Sequence, residues 1–315
     1  MKRFARIVLI ALALMALTFA IAAISSWAPD REVAELKQRW AQPPSQFVAI
    51  DGMLVHVRDQ GPRDDPVPVV LLHGTSASLH TWEGWAAVLQ DKRRVISLDL
   101  PGFGLTGPFP DGDYRISHYT QFLGNLLDQL QVNKAVLIGN SFGGQLAWQF
   151  SLAQPQRVNQ LVLVDAAGYP RAATSVPIGF RVAQIPALAP LMTKLLPRSM
   201  IESSIRNVYG DPAKVSEDLI DRYYELTLRS GNREALRQRF IQASSDEDYK
   251  AIARIQVPTL ILWGGRDELI PLINAEHFKR DIKGSSLVIF DQLGHVPQEE
   301  DPLQSLAPVL SFIGR

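Results

Sequence analysis

The sequence predicts an α/β fold, in which a mostly parallel sheet of eight strands is covered by helices on both faces. From residue 67 onward, short apolar runs alternate with helix-like stretches, as parallel strands and crossover helices do. A Gly-Asn-Ser-Phe-Gly-Gly turn at 139–144 joins one of these apolar runs to a helix-like stretch. The segment 169–255 departs from the alternation, since it contains helical stretches without a convincing strand. These observations indicate one α/β domain with a helical insertion.

The elements of the α/β domain are predicted in order after residue 46. Residues 47–50 and 54–59 are expected to form an antiparallel pair. Further strands are predicted at 67–72, 94–98, 134–138, 160–164, 259–263 and 286–290. Helices are predicted between them at 82–90, 118–130 and 142–154. Residues 47–168 and 256–315 therefore make up the predicted core.

Residues 169–255 are predicted to form a helical cap inserted after the sixth strand. The helical stretches are 178–196, 198–208, 215–228 and 233–244, with prolines between them as helix breakers. A cap in this place would lie over Ser141, where it would select substrates and exclude water. Apolar cap side chains that could line a pocket, or simply pack within the cap, are Phe180, Leu188, Leu191, Met192, Leu195 and Leu196.

Ser141 stands in a turn that is typical of a nucleophilic serine. The turn follows a buried strand and precedes a helix, which is the context in which Gly-x-Ser-x-Gly presents the serine hydroxyl. Glycines at 139 and 143 allow the turn to be tight, since a side chain there would collide with the neighbouring strand or helix. We therefore expect Ser141 to be a nucleophile.

A nucleophilic serine needs a base to take its proton and a third group to hold that base in one tautomer. His295 follows the last predicted strand, and no other histidine does. Asp267 follows the strand before it in a Trp-Gly-x-x-Asp pattern, which makes it the first choice for the third group. Glu268 and Asp165, the latter at the end of the sixth strand, are alternatives.

Attack on a carbonyl also needs donors for the oxyanion that forms. The backbone N–H of Phe142, the residue after the nucleophile, is one predicted donor, and that of Thr75, in the loop after the third strand, is the second. We expect His73 and Gly74 to be structural, because glycine permits a sharp turn and the imidazole can brace the loop.

Four separated segments of the chain resemble the α/β-hydrolase superfamily. They are 73–75, 99–104, 139–144 and 294–297. The resemblance covers about residues 47–314. It implies the α/β-hydrolase fold and a triad in the chain order serine, acid, histidine.

Within that superfamily, the turn at 139–144 resembles that of carbon–carbon hydrolases that cleave ring-opened aromatic products, and of related esterases. That group often has a glycine-rich loop after His-Gly and an aromatic residue after the catalytic histidine, whereas this chain has Thr75-Ser76-Ala77 and Val296. These departures weigh against a carbon–carbon substrate. Epoxide hydrolases and haloalkane dehalogenases resemble the region 263–271, but they use an aspartate nucleophile, and Ser141 argues against both.

Five polar residues are candidates for substrate contact. Asn140 and Gln145 flank the nucleophile turn. Arg181, Arg206 and Arg222 lie in the predicted cap, where an arginine can bind a substrate carboxylate or simply be solvated.

The amino terminus predicts a membrane-anchoring helix. Lys2, Arg3 and Arg6 precede residues 7–24, a run of 18 residues without a charge and with Thr18 as its one polar interruption. This length is at the lower limit for a membrane span and above the usual core of a signal peptide. Basic residues before the run would keep the start of the chain in the cytoplasm and place the catalytic domain outside it, in the periplasm of a bacterium.

The amino-terminal segments are therefore predicted as a signal anchor at 1–26 and a stalk at 27–46. An A-x-A-like site at 20–22 leaves secretion after cleavage as the alternative. The chain has no cysteine, which fits an oxidising compartment without proving one.

Charge and motif content limit the partners. The 315 residues contain 32 basic and 32 acidic side chains, and no basic cluster occurs beyond the amino terminus, so nucleic acid is not expected as a partner. The sequence contains no ligand cluster for a metal and no dinucleotide-binding glycine pattern after a first strand, so no cofactor is expected.

Together these observations predict a serine hydrolase that cleaves a carboxylic ester, or a similar acyl bond, of a small apolar substrate through an acyl-enzyme. Three alternatives stay open: a carbon–carbon hydrolase of ring-opened aromatics, a cofactor-free haloperoxidase-like enzyme, and a non-catalytic binding module tethered to a membrane.

Overall fold

Eight strands form one sheet in the order β1-β2-β4-β3-β5-β6-β7-β8. The computed structural model describes residues 2–170, 173–185, 187, 193–243 and 249–314. The strands are β1 (Ser45–Ile50), β2 (Met53–Gln60), β3 (Val69–Leu72), β4 (Val95–Leu98), β5 (Ala135–Asn140), β6 (Val158–Val164), β7 (Thr259–Gly264) and β8 (Ser286–Phe290). β2 pairs antiparallel with β1 and β4, and all other pairs are parallel. The predicted eight-stranded, mostly parallel sheet is confirmed.

Helices cover both faces of the sheet. In chain order they are α1 (Lys2–Ser25), α2 (Val33–Trp40), α3 (Glu83–Leu89), α4 (Ile116–Gln129), α5 (Phe142–Ala153), α6 (Ile178–Ala183), α7 (Arg198–Val208), α8 (Glu217–Thr227), α9 (Asn232–Gln242), α10 (Ile273–Asp281), α11 (Pro297–Glu300) and α12 (Pro302–Ile313). One apolar layer contains side chains of α4, α5 and α10. The layer on the other face contains side chains of α3 and α12.

The central strands are apolar on both faces because both faces are covered. All four side chains of β3 are fully buried, and β5 and β7 are buried along their whole length. Such continuous apolar runs are what a parallel sheet between two helical layers requires. Since parallel strands end at the same edge, the loops after β3, β5, β6, β7 and β8 lie together, and Ser141, Asp267 and His295 occur in these loops.

The four helices α6 to α9 lie between β6 and β7. The predicted stretch 198–208 coincides with α7, and 215–228 and 233–244 correspond to the slightly shorter α8 and α9. The predicted stretch 178–196 contains only the short helix α6 over the residues that the structure describes. Leu188, Leu191 and Met192, which we proposed as pocket residues, lie outside the described residues.

Residues 27–46, predicted as a stalk, contact the rest of the molecule. The N–H of Ala28 donates to the carbonyl of Lys194 at 2.9 Å, and the N–H of Leu196 donates to that of Ser26 at 2.8 Å. Leu36 of α2 is buried against Leu105 and Leu226. This segment therefore packs on the helices between β6 and β7 instead of standing free.

The amino-terminal run forms helix α1 over Lys2–Ser25. A membrane span needs about 20 consecutive, predominantly apolar residues. Over the residues that the structure describes, none of the helices combines the length and the apolar character that crossing a membrane demands. The predicted membrane anchor, and the extracytoplasmic location inferred from it, are therefore wrong.

Candidate active site

Ser141 occupies a strained turn between β5 and α5. Its backbone has φ 53° and ψ −115°, a region that costs energy for any residue with a side chain. Its N–H donates to the carbonyl of Val164 at 3.0 Å, and its own carbonyl accepts from the N–H of Ala167 at 3.0 Å. Both bonds tie the turn to the end of β6, so the neighbouring strand holds the strained conformation in place.

The glycines around Ser141 are required by close backbone contacts. A Cβ at position 139 would overlap the carbonyl of Gly143, and a Cβ at position 143 would overlap the carbonyl of Leu72 at the end of β3. The spacing of glycine, serine and glycine therefore reflects the contact between helix α5 and two strands.

His295 and Asp267 form a buried hydrogen-bonded pair. Nδ1 of His295 and Oδ2 of Asp267 are 2.7 Å apart, and both side chains are almost fully buried. The other carboxylate oxygen, Oδ1, accepts from the N–H groups of Leu269 and Ile270 at 2.8 and 2.9 Å. Because an ionised carboxylate only accepts, Nδ1 carries the proton and Nε2 is left as the basic nitrogen of the ring.

The two alternative acids occupy different positions. The side chain of Glu268 is exposed. Asp165 is fully buried at the end of β6, where its Oδ1 accepts from the N–H of Gly264 at 2.9 Å. One side-chain nitrogen or oxygen of each of Asp165, Asp267 and His295 lies within 4.8 Å of the others. Among the three acids, Asp267 is the one for which the described residues show a hydrogen bond to His295.

The predicted oxyanion donors lie in the loops next to Ser141. Phe142 is the first residue of α5, so its N–H stands at the positive end of the helix and outside the intrahelical hydrogen bonds. Thr75 follows β3 and lines the same cavity as Ser141 and His295.

His73 braces the loop that carries Thr75. Its Nδ1 lies 2.7 Å from the carbonyl of Gly74, and its Nε2 accepts from the N–H of Leu100 at 2.9 Å. Burial lowers the pKa of this imidazole, so it stays neutral and keeps both bonds. The expected structural role of His73 agrees with these contacts.

Arg239, on α9, contacts both of the residues that carry the predicted oxyanion donors. Its guanidinium donates to the hydroxyl of Thr75 and lies 3.9 Å from the centre of the Phe142 ring. The residue is 5% exposed, so its charge is close to the loop and little screened by water. Our sequence reasoning did not single out Arg239, because nothing local distinguishes it from the other arginines of a polar helix.

Glu300, on α11, joins the loop of His295 to the cap. Its carboxylate accepts from the N–H of Gly294 at 2.8 Å and from the N–H groups of Gly210 and Asp211 at 2.9 and 2.8 Å. The N–H of His295 also donates to the carbonyl of Val208 at 2.8 Å. Sequence reasoning missed Glu300, since its partners are far apart along the chain.

A cavity of about 130 Å³ opens above Ser141 and His295. Its walls are mostly apolar, and most of them come from the segment between β6 and β7. The apolar side chains that contribute are Phe180, Leu195, Leu196, Met200, Ile201 and Ile205. Among the described lining residues, Arg233 is the one cation, and its guanidinium is paired with Asp30.

The five proposed substrate-contact residues differ in their surroundings. Asn140 lies in the cavity wall, but its amide nitrogen is bonded to the carbonyls of Val164 and His295 at 3.1 and 2.9 Å. Gln145 is buried in α5.

The three arginines are not among the described lining residues of the cavity. Arg181 is exposed. Arg206 pairs with Glu202 at 2.9 Å, and Arg222 pairs with Glu299.

Comparison with known proteins agrees with the fold. The model of the α/β-hydrolase fold family matches residues 67–302. A 2-hydroxy-6-oxo-2,4-heptadienoate hydrolase from Pseudomonas putida is 32% identical over 270 residues, which is 81% of this chain and 91% of that protein.

Solved structures give the same result. A meta-cleavage product hydrolase from Pseudomonas fluorescens has a TM-score of 0.72 at 27% identity, covering 85% of this chain and 97% of its own. A membrane phospholipase A, described as a bacterial virulence factor, shares the fold with a TM-score of 0.74 at 24% identity, covering 100% of this chain and 98% of its own. The family match over most of the chain, and the hydrolase relatives, identify this protein as a hydrolase of the α/β-hydrolase fold family.

Proposed function

We propose that this protein hydrolyses carboxylic esters of apolar substrates through an acyl-enzyme on Ser141. The observation that carries the proposal is the buried hydrogen bond between His295 and Asp267 at the wall of the cavity that also contains Ser141. A serine in a strained turn, with an oriented imidazole at the same cavity, is the arrangement that nucleophilic acyl transfer requires.

The reaction takes two half-steps. Nε2 of His295 removes the proton from Ser141 as Oγ attacks the ester carbonyl, and the N–H groups of Thr75 and Phe142 bind the oxyanion. As the tetrahedral intermediate collapses, the protonated imidazole gives its proton to the leaving alcohol. Water then attacks the acyl-enzyme by the same route, which releases the acid and restores Ser141. Asp267 holds the ring and stabilises its charged form throughout.

The cavity favours an apolar acyl group. Its described walls are mostly aliphatic and aromatic, so burial of methylene groups would be favourable by about 0.8 kcal/mol each. Of the lining residues that the structure describes, Arg233 is the one cation that a substrate carboxylate would meet, and its charge is already balanced by Asp30. These features favour a neutral ester over an anionic substrate.

Carbon–carbon bond hydrolysis is the second candidate. It is favoured by the 32% identity to a protein named 2-hydroxy-6-oxo-2,4-heptadienoate hydrolase. The same serine, histidine and oxyanion donors can serve acyl transfer from carbon as well as from oxygen. The substrate of that relative carries a carboxylate, and among the described residues that line the cavity the one cation is the paired Arg233.

The two candidates can be separated by comparing substrates on one enzyme preparation. We expect kcat/KM for p-nitrophenyl esters to rise from acetate to butyrate and hexanoate, and to exceed kcat/KM for a ring-opened 2-hydroxy-6-oxo-dienoate. Ser141→Ala should abolish both activities, which excludes a contaminating esterase. A dienoate that is preferred by 100-fold or more would contradict the ester assignment while leaving the serine mechanism in place.

A further inference from the structure

Asp165 is a buried acid that the proposed reaction does not use. It is fully buried at the end of β6 and has a positive φ of 44°. Its N–H donates to the carbonyl of Leu262 at 3.0 Å, and its Oδ1 accepts from the N–H of Gly264 at 2.9 Å. These bonds to β7 fix the carboxyl group in one position, with Oδ2 as its remaining polar atom.

The carboxyl group of Asp165 lies next to the buried pair of Asp267 and His295. One carboxyl oxygen of Asp165 is within 4.8 Å of a carboxyl oxygen of Asp267 and of a ring nitrogen of His295, and a hydrogen bond with the Asp267 carboxyl group raises the pKa of Asp165. Yet Oδ2 of Asp165 has no donor among the described residues. If both carboxyls were ionised, two groups that can only accept would lie against each other in a site without water contact, which is strongly unfavourable. One proton between them turns this repulsion into a hydrogen bond.

Asp267 cannot readily be the protonated partner. Its Oδ1 already accepts two backbone N–H bonds, and its Oδ2 lies 2.7 Å from Nδ1 of His295. All three contacts favour an ionised carboxylate. Within the described parts of the chain, the carboxyl group of Asp165 accepts one N–H bond, that of Gly264. The proton is therefore best placed on Asp165.

We propose that Asp165 is a neutral carboxylic acid whose Oδ2–H donates to the carboxylate of Asp267, and that it acts as a positioning residue for the triad. The role in catalysis rests on the proposed function, but the protonation state does not. The bond holds Asp267 towards His295 and limits the negative charge beside the imidazole to a single carboxylate.

The charges around Asp165 support this assignment. Burial raises its pKa well above the ordinary value of an aspartate, and the charge of Asp267 raises it further. The charge of Glu300 also raises the pKa of Asp165, whereas the hydrogen bond from the N–H of Gly264 lowers it. In the group formed by Asp165, Asp267 and His295, the histidine is the basic member, and its Nδ1 lies 2.7 Å from Oδ2 of Asp267.

Two substitutions separate the hydrogen bond from the charge. Asp165→Asn keeps the shape, an oxygen for the N–H of Gly264 and a donor for Asp267. Asp165→Leu keeps the branched shape at Cγ and removes the donor without β-branching, which the positive φ of this residue disfavours. We expect Asp165→Asn to retain kcat within about 2-fold, with the acid limb of its kcat/KM profile unmoved. We expect Asp165→Leu to lose kcat by about 10- to 100-fold with little change in KM.

Three results would overturn the proposal. In Asp165→Asn, the acid limb of the kcat/KM profile could move to lower pH. That shift would show that Asp165 is ionised in the wild type, because removing a negative charge makes the imidazole of His295 harder to protonate. Equal activity of the Asn and Leu variants would show that no donor is needed. Loss of wild-type activity on chelation, restored by Zn²⁺, would assign the group of three side chains to a cation instead.

An infrared difference spectrum makes the test independent of activity. At pH 7 the wild type should show the carbonyl stretch of a protonated carboxylic acid that Asp165→Asn lacks. Asp281→Asn is the control, since the pKa of Asp281 is lowered by Arg280 and this variant should keep the band. Absence of the band from the wild type would refute the neutral acid even if the protein cleaved no ester. A present band without esterase activity would refute the proposed function alone.

Discussion

The three side chains of the proposed triad come from three different strand ends, and each is held by its own local contacts. Ser141 is fixed by a strained turn against β6, Asp267 by two backbone N–H groups, and His295 by Asp267. Little reorganisation is then needed when charge develops on the imidazole and on the substrate oxygen. At the residue scale, the proposed chemistry therefore depends on preset orientation.

Asp267→Asn tests that orientation. An amide at this position can donate to Nδ1 of His295, which moves the ring proton to Nε2 and removes the basic nitrogen from the side of Ser141. We expect kcat to fall by about 10⁴-fold in steady-state assays with a p-nitrophenyl ester. Asp165→Asn, the matched neighbour, should stay active. Near wild-type turnover of Asp267→Asn would mean that another acid serves His295.

At the scale of elements, the helices between β6 and β7 and the loops of the proposed site residues are joined by side-chain contacts. Helix α9 reaches the loop of Thr75 through Arg239, and α11 reaches residues 210–211 through Glu300. These contacts transmit any displacement of the cap to the residues around the oxyanion and the base. Substrate binding in the cap and chemistry at Ser141 are therefore expected to be linked.

Arg239→Met tests the contact between α9 and the oxyanion loop. The substitution keeps most of the apolar contact with Phe142 and removes the charge and the bond to Thr75. We expect kcat/KM to fall about 10-fold, which is less than the loss of a direct oxyanion donor. Affinity for a boronic acid that mimics the tetrahedral intermediate should fall in parallel. Arg237→Met is the control, because Arg237 pairs with Glu234 on the same helix, and an equal loss there would contradict the account.

Glu300→Gln tests the contact between α11 and the cap. The amide has one accepting oxygen in place of two, so at least one N–H of Gly210, Asp211 or Gly294 loses its charged partner. We expect the free energy of unfolding, measured in urea, to fall by about 2 kcal/mol. Glu276→Gln, on the exposed side of α10, should leave it within about 0.5 kcal/mol. Equal stability of the two variants would argue against a stabilising contact between Glu300 and residues 210–211.

Patterns that are local in the sequence could be predicted, and contacts that depend on the docked cap could not. The sheet, Ser141 and the strand-end positions of Asp267 and His295 follow from apolar runs and the residues after them. Arg239 and Glu300 act across elements that are distant in the sequence, so no spacing points to them. The amino-terminal prediction was wrong because a basic start and an apolar run do not by themselves amount to a membrane span.

At the scale of the whole molecule, the buried acids make stability depend on pH. A raised pKa in the folded state means that the fold binds a proton that the unfolded chain releases above about pH 4. The stability that Asp165 contributes to the fold is therefore present below about pH 4. It is lost as the pH rises towards the raised pKa that Asp165 has in the folded state. The sign is opposite to that of an ordinary salt-bridged aspartate.

Comparison of the wild type with Asp165→Asn measures this contribution. The asparagine variant does not titrate at this position, so it should become more stable relative to the wild type as the pH rises from 5 to 8. The slope is at most about 1.4 kcal/mol per pH unit for one proton. Urea unfolding at several pH values gives the difference. A difference that does not vary with pH would mean that the folded and unfolded states bind the same number of protons at Asp165.

Labelling with a fluorophosphonate would establish whether Ser141 is the nucleophile, because this reagent reacts with activated serines. We expect intact mass spectrometry to show one adduct per chain and peptide mapping to place it on Ser141. The adduct should be absent from Ser141→Ala and should form far more slowly in His295→Ala. A wild-type protein that stays unlabelled, or that carries the adduct on another residue, would contradict the account.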